Sequence, residues 1–192
     1  MHTSTLHHRT HPGTALGGFT LVEMLVTVSI VALLSAIAVP SFAHMIEGWR
    51  VRQAAESLQS SLHFARSEAI KRSGRVVLQK LPNNTNGCTS ASTARDWDCG
   101  WIVCEDTNAN GSCSATEPML QRIDTPARVQ VARTGGAASI EFNRWGLVSG
   151  PWLGFTLIPL DKTVSHPGTR GVCMSSGGRI RIISQEAIPC TG

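Results

Sequence analysis

The chain has 192 residues, 42% of them hydrophobic and 16% charged, with a net charge of +4. That is ordinary globular composition with room for one medium domain plus an anchor. So small a positive excess excludes an argument for nucleic-acid binding from charge alone.

Taken in chain order, the first segment is polar and nearly uncharged, with Arg9 as the one Lys, Arg, Asp or Glu before Glu23. An apolar run follows from Phe19 to Val39 and continues without charge, Glu23 apart, to Ile46. As a helix, Phe19 to Val39 spans ~31 Å, which matches a bilayer core of ~30 Å. A carboxylate inside such a run costs roughly 2.5–3.5 kcal/mol on insertion. Glu23 is therefore expected to meet a partner. A cleaved signal peptide, cut near Ser41-Phe42-Ala43, is the ordinary alternative. Against it, the run is longer than a signal peptide's apolar region, and Glu23 lies at its wrong end.

Beyond the run, Val51, Ala54 or Ala55, Leu58, Leu62, Ala65 and Ala69 recur at steps of three and four, one face of an amphipathic helix. Arg52, Glu56, Gln59, Arg66 and Lys71 occupy the opposite face, and Gly74 is the stop signal. One long helix is thus expected over 19–73. Pro40 should loosen it, because proline lacks the N–H that would bond the Ala36 carbonyl.

After residue 74 short strands alternate with turn residues. Strands are expected at 75–80, 100–105, 119–123, 128–133, 139–142, 153–158, 170–174 and 179–184, with 82–96 as a loop. The fold class is α+β: a long N-terminal helix packed on an antiparallel β-sheet domain.

The six cysteines are Cys88, Cys99, Cys104, Cys113, Cys173 and Cys190. Their spacing does not resemble a zinc knuckle, and an even number suits disulfides in an oxidising compartment. Three pairings remain open for the first four, of which Cys88–Cys99 with Cys104–Cys113 is preferred. Cys173–Cys190 would then close a C-terminal loop worth ~3 kcal/mol in the chain-entropy model.

Asp106, Asn108, Asn110, Gly111 and Glu117 fit the EF-hand calcium pattern. The flanks GWIVCE and PMLQRI read as strands, however, and two of the usual acids are asparagines. The expectation is a strand connection with no metal and no cofactor. No GxSxG, HExxH or phosphate loop is present, and His63 has no evident acid partner, so no catalytic residue is named and no enzymatic activity is expected.

Gly18-Phe19-Thr20-Leu21-Val22-Glu23 resembles the processing site of type IV pilins and type II secretion pseudopilins. SLHFARSEAIKRSGRVVL, residues 61–78, resembles the end of the long helix in the GspH/FimT group of minor pilins. The resemblance implies cleavage by a prepilin peptidase after Gly18 and N-methylation of Phe19. It also implies that Glu23 serves filament assembly, pairing with the amino group of Phe19 on a neighbouring major or minor pilin or pseudopilin. On this basis 1–18 is a leader, 19–45 a transmembrane helix half and 46–192 a periplasmic domain. That domain divides into an amphipathic helix half (46–73) and a β domain (74–192). A single-pass protein of the bacterial inner membrane, later part of a pilus or pseudopilus, is implied.

Gly178-Arg179-Ile180-Arg181 resembles the GRxR motif of FimT-type pilins, which implies non-specific binding of double-stranded DNA in uptake and natural transformation. In a strand, Arg179 and Arg181 project from one face and Ile180 and Ile182 from the other. The alternative is a GspH/FimU-like structural subunit of a type II secretion or type IV pilus system, its arginines merely keeping an edge strand soluble.

Overall fold

The computed structural model describes residues 18–125, 128–148 and 152–191, without the side chains of 38–41 and 43–44. Residues 1–17, most of the expected leader 1–18, therefore lie outside the described part. The chain forms two compact units, divided after Ser41.

One helix, α1 (Leu21–Lys71), runs through both units. It starts where Thr20 Oγ1 accepts the Glu23 N–H at 3.2 Å, an N-cap that satisfies one of the free amides of the first turn. It ends where the Gly74 N–H reaches the Ala69 carbonyl at 2.7 Å. From Phe19 to Ile37 every described side chain is exposed. Among the described residues no helix is long and apolar enough to cross a membrane. The stretch with described side chains stops at Ile37, and the Pro40 side chain lies outside it.

In the second unit α1 buries one face: Val51, Ala54, Ala55, Leu58, Leu62, Ala65 and Ala69 are each 0% exposed. Four of these are alanines, which lets neighbouring backbone come close to the helix. The rest of the unit is two four-stranded antiparallel sheets. Strands β1 (Val76–Lys80), β2 (Trp101–Glu105), β3 (Met119–Ile123) and β5 (Ser139–Phe142) form the first, in the order β3-β2-β1-β5. Strands β4 (Val129–Arg133), β6 (Trp152–Pro159), β7 (Arg170–Ser175) and β8 (Ile180–Ser184) form the second, in the order β4-β6-β7-β8. All eight expected strands are present, with ends shifted by a residue or less. The antiparallel domain consists of two sheets, because β4 hydrogen-bonds to β6 rather than to β5.

The helix face and both sheets share one core, with Trp97 against Phe155 edge-on at 5.1 Å. Trp101 is buried with its indole N–H on Ser61 Oγ at 2.9 Å, which meets the need of a buried donor. The helix end is tied to the first sheet by Arg72, which pairs with Glu68 at 2.8 Å and also with Glu105 of β2. Lys80 is buried, and its ammonium donates to the Ala91 and Thr93 carbonyls at 2.7 and 2.5 Å. Burial lowers its pKa. This amine holds down the polar loop after β1, which has little apolar surface of its own.

All six cysteines are paired: Cys88–Cys99, Cys104–Cys113 and Cys173–Cys190. The last joins β7 to the C-terminal tail beyond the short turn Gln185–Ala187.

Candidate nucleic-acid interface

Among the described residues, strand β8 ends the second sheet and pairs only with β7, in a register that sets Ile180 opposite Met174, Arg181 opposite Cys173 and Ile182 opposite Val172. Alternation then sorts its side chains. Ile180 is 9% exposed and joins the core, and Ile182 packs against it. Arg179, just before the strand, and Arg181 are exposed. Both border one shallow cavity of about 170 Å³, with Trp152, Ser175 and Thr191. Arg181 Nη2 donates to the Thr191 carbonyl at 3.3 Å. Among the described residues no carboxylate lies within ion-pair distance of either guanidinium.

The turn before β8 is held at both ends. The Ser175 N–H bonds the Arg179 carbonyl at 3.0 Å, and the Gly178 N–H bonds the Ser175 carbonyl at 2.8 Å. Gly178 is buried at φ +80°, and its carbonyl accepts a hydrogen bond from Arg66 Nη1. A Cβ added at Gly178 would lie 2.7 Å from Arg66 Cζ, so the dihedral calls for glycine and a side chain there would displace the Arg66 guanidinium. Arg66, expected on the solvent face of the helix, is instead half-buried and props up the turn. Helical periodicity alone missed it: Arg66 borders the buried stripe, and what lies over that border is set by a segment more than a hundred residues away.

The EF-hand-like segment has a different use for its acids. Asp106 is 4% exposed and accepts the Asn110 and Gly111 amides at 3.0 and 2.7 Å. Glu117 accepts the Ser114 and Thr107 amides at 2.8 and 2.9 Å and the Asn108 amide at 3.4 Å. These amides, Ser114 first, hold the Glu117 carboxyl below its ordinary pKa against the opposing effect of burial. The loop connects β2 to β3, so the flanks are strands, and Cys104–Cys113 ties it to β2. Among the described residues no group of three or more His, Cys, Asp or Glu is placed to hold a metal ion.

At the N-terminus Gly18 and Phe19 precede the helix, with Phe19 80% exposed. Glu23 is exposed in the first turn. Its spacing from Thr20 is that of a T-x-x-E capping box, a local signal already present in the sequence. An acid there also suits the positive end of the helix.

Two family models match the chain. The model for the type II transport protein GspH covers residues 54–178, from the buried helix face to the turn before β8. The prokaryotic N-terminal methylation motif covers residues 17–39.

The chain belongs to the GspH family of minor pilins and pseudopilins.

Among solved structures it is similar to the type IV minor pilin FimU of Pseudomonas aeruginosa in two crystal forms. One aligns with a TM-score of 0.54 and 24% identity, covering 72% of this chain and 96% of FimU. The other gives 0.56 and 25%, covering 72% and 92%. Among curated proteins no relative matches significantly. This GspH-family chain therefore shares the α+β pilin architecture, a long helix packed on antiparallel sheets.

Proposed function

We propose that this protein is a minor type IV pilin that holds DNA on Arg179 and Arg181 and assists its uptake. The observation that carries this is the pair of exposed guanidiniums at the start of the edge strand β8, one just before it and one on it, bordering one cavity with no carboxylate partner among the described residues. Their stems leave a turn that is hydrogen-bonded to α1, so the cations are held ready and need not be ordered on binding. Each can grip a phosphate bidentately, which gives contacts that ignore base sequence and weaken with salt.

In this reading the leader is removed after Gly18, Phe19 is N-methylated, and the protein acts without catalysis. The exposed apolar side chains from Phe19 onward suit lipid first and neighbouring pilins later. Glu23 meets the Phe19 amine of a neighbouring subunit in the filament. Three disulfides favour a domain facing the periplasm from the inner membrane.

A second reading, a structural subunit that contacts only other pilins, draws support from the likeness to FimU. The test is duplex binding by the detergent-solubilised full chain. Binding is expected in the non-specific range, Kd about 10⁻⁴–10⁻⁶ M, falling as salt rises. Arg179→Gln with Arg181→Gln should remove it. If the double variant shifts duplex DNA in a gel as the parent does, these arginines are not the site; if the parent shifts none, the second reading takes over.

A further inference from the structure

Trp145 is 70% exposed, more than any other described tryptophan. The turn that carries it is built to display it. Asn143 Oδ1 accepts the Trp145 and Leu147 amides at 2.9 and 3.1 Å, the Gly146 N–H bonds the Asn143 carbonyl at 2.8 Å, and Asn143 N–H bonds the Leu147 carbonyl at 2.9 Å. A large apolar ring held in water on a turn fixed by four hydrogen bonds is preorganised for contact.

Its position is set by Arg66. A Cβ at Gly146 (φ +68°) would fall 2.4 Å from Arg66 Cγ, and one at Gly178 falls 2.7 Å from Arg66 Cζ. The two turns therefore seat at opposite ends of one side chain. Trp145 and Arg179 are the immediate chain neighbours of those two glycines, on turns separated by the length of an arginine. Arg144, next to Trp145, is exposed as well. Among the described residues Arg144, Arg179 and Arg181 have no carboxylate within ion-pair distance. An exposed aromatic face among free cations suits a nucleobase and its phosphates better than a neutral protein surface.

We infer that Trp145 is a base-stacking platform beside the phosphate-binding arginines. The site then takes DNA with unpaired bases (a single strand, an overhang or a frayed end) more tightly than closed duplex. The inference rests on the DNA reading of Arg179 and Arg181. Phosphates are offered by both forms, whereas a base already paired and stacked in the duplex has no free face for the indole. One stacked base should favour the unpaired form by roughly tenfold.

The experiment compares three labelled probes by fluorescence anisotropy with the full chain in detergent: a duplex closed by hairpins at both ends, the same duplex with a single-stranded overhang, and a single strand. The parent should bind the second and third about tenfold more tightly than the first. Trp145→Ala should reduce the second and third to the affinity of the closed duplex and leave that of the closed duplex unchanged. Trp145→Phe should retain most of the preference, which guards against a folding defect. Arg179→Gln with Arg181→Gln should weaken all three probes.

If Trp145→Ala leaves the preference intact, or if the parent binds the three probes equally, the stacking inference fails while the DNA reading stands. A parent that binds none of the probes overturns both. If Trp145→Ala keeps the preference but is lost from sheared filaments, the ring contacts a neighbouring subunit and the inference is wrong.

Discussion

Two short charged motifs lie at different loops of the same domain and have opposite fates. In the 106–117 loop the carboxylates turn inward and hold five backbone amides between them. In the 178–181 turn the backbone is satisfied by Ser175 and Arg66, and the guanidiniums are left exposed. The difference is instructive, because the acidic motif matches a ligand-binding pattern more completely than the basic one. Side chains that complete a loop's hydrogen bonding are no longer free to bind a ligand, and spacing in the sequence does not reveal which role has been taken.

The contrast can be broken first at Asp106. Asp106→Ala removes two charge-assisted bonds, the one from Gly111 buried and the one from Asn110 part-buried, and should cost about 3 kcal/mol. For a domain of this size that is a fall in Tm of roughly 6–12 °C, read by thermal melting. Added calcium should leave the parent's melting unchanged; a large calcium-dependent rise would return the loop to the metal-binding class.

Gly178→Val probes the other motif through its backbone. It forces a β-branched residue to φ +80° and drives Cβ into Arg66, at an expected cost of about 2 kcal/mol. Arg66→Ala removes the obstruction, so the double variant should lose less than the sum of the two single ones.

A smaller effect is expected from pH. Hydrogen bonding depresses the Glu117 pKa in the folded chain, so its contribution is present above the unfolded value of about 4.3 and is lost as pH falls through the lower folded value. The protection of the Thr107 and Ser114 amides against exchange, relative to the intrinsic rate at each pH, should fall in that acid window, and Glu117→Gln should remove the dependence. The smallest effect on stability sharpens the comparison from the other side. Arg179→Gln with Arg181→Gln should stay within about 0.5 kcal/mol of the parent in denaturant melts, because neither guanidinium supports the core.

Much of this molecule was legible in the linear order of residues. The apolar faces at Val51–Ala69 and along each strand depend on local periodicity, so the helix and all eight strands could be placed before any contact was known. The preferred disulfide pairing also agrees with the structure, since two of the bonds join near neighbours and leave one partner each for Cys173 and Cys190. The exposure of Arg181 between buried Ile180 and half-buried Ile182 followed from alternation in β8.

Only the tertiary structure decided the rest. It split the strands into two sheets and gave Arg66 a carbonyl in place of solvent. It satisfied Asp106 and Glu117 with amides, and it brought the Trp145 turn beside the turn of Arg179. Each of these depends on which backbone groups meet across long separations. Periodicity determines the face a residue occupies, but the polar group waiting opposite that face is fixed only when the chain packs.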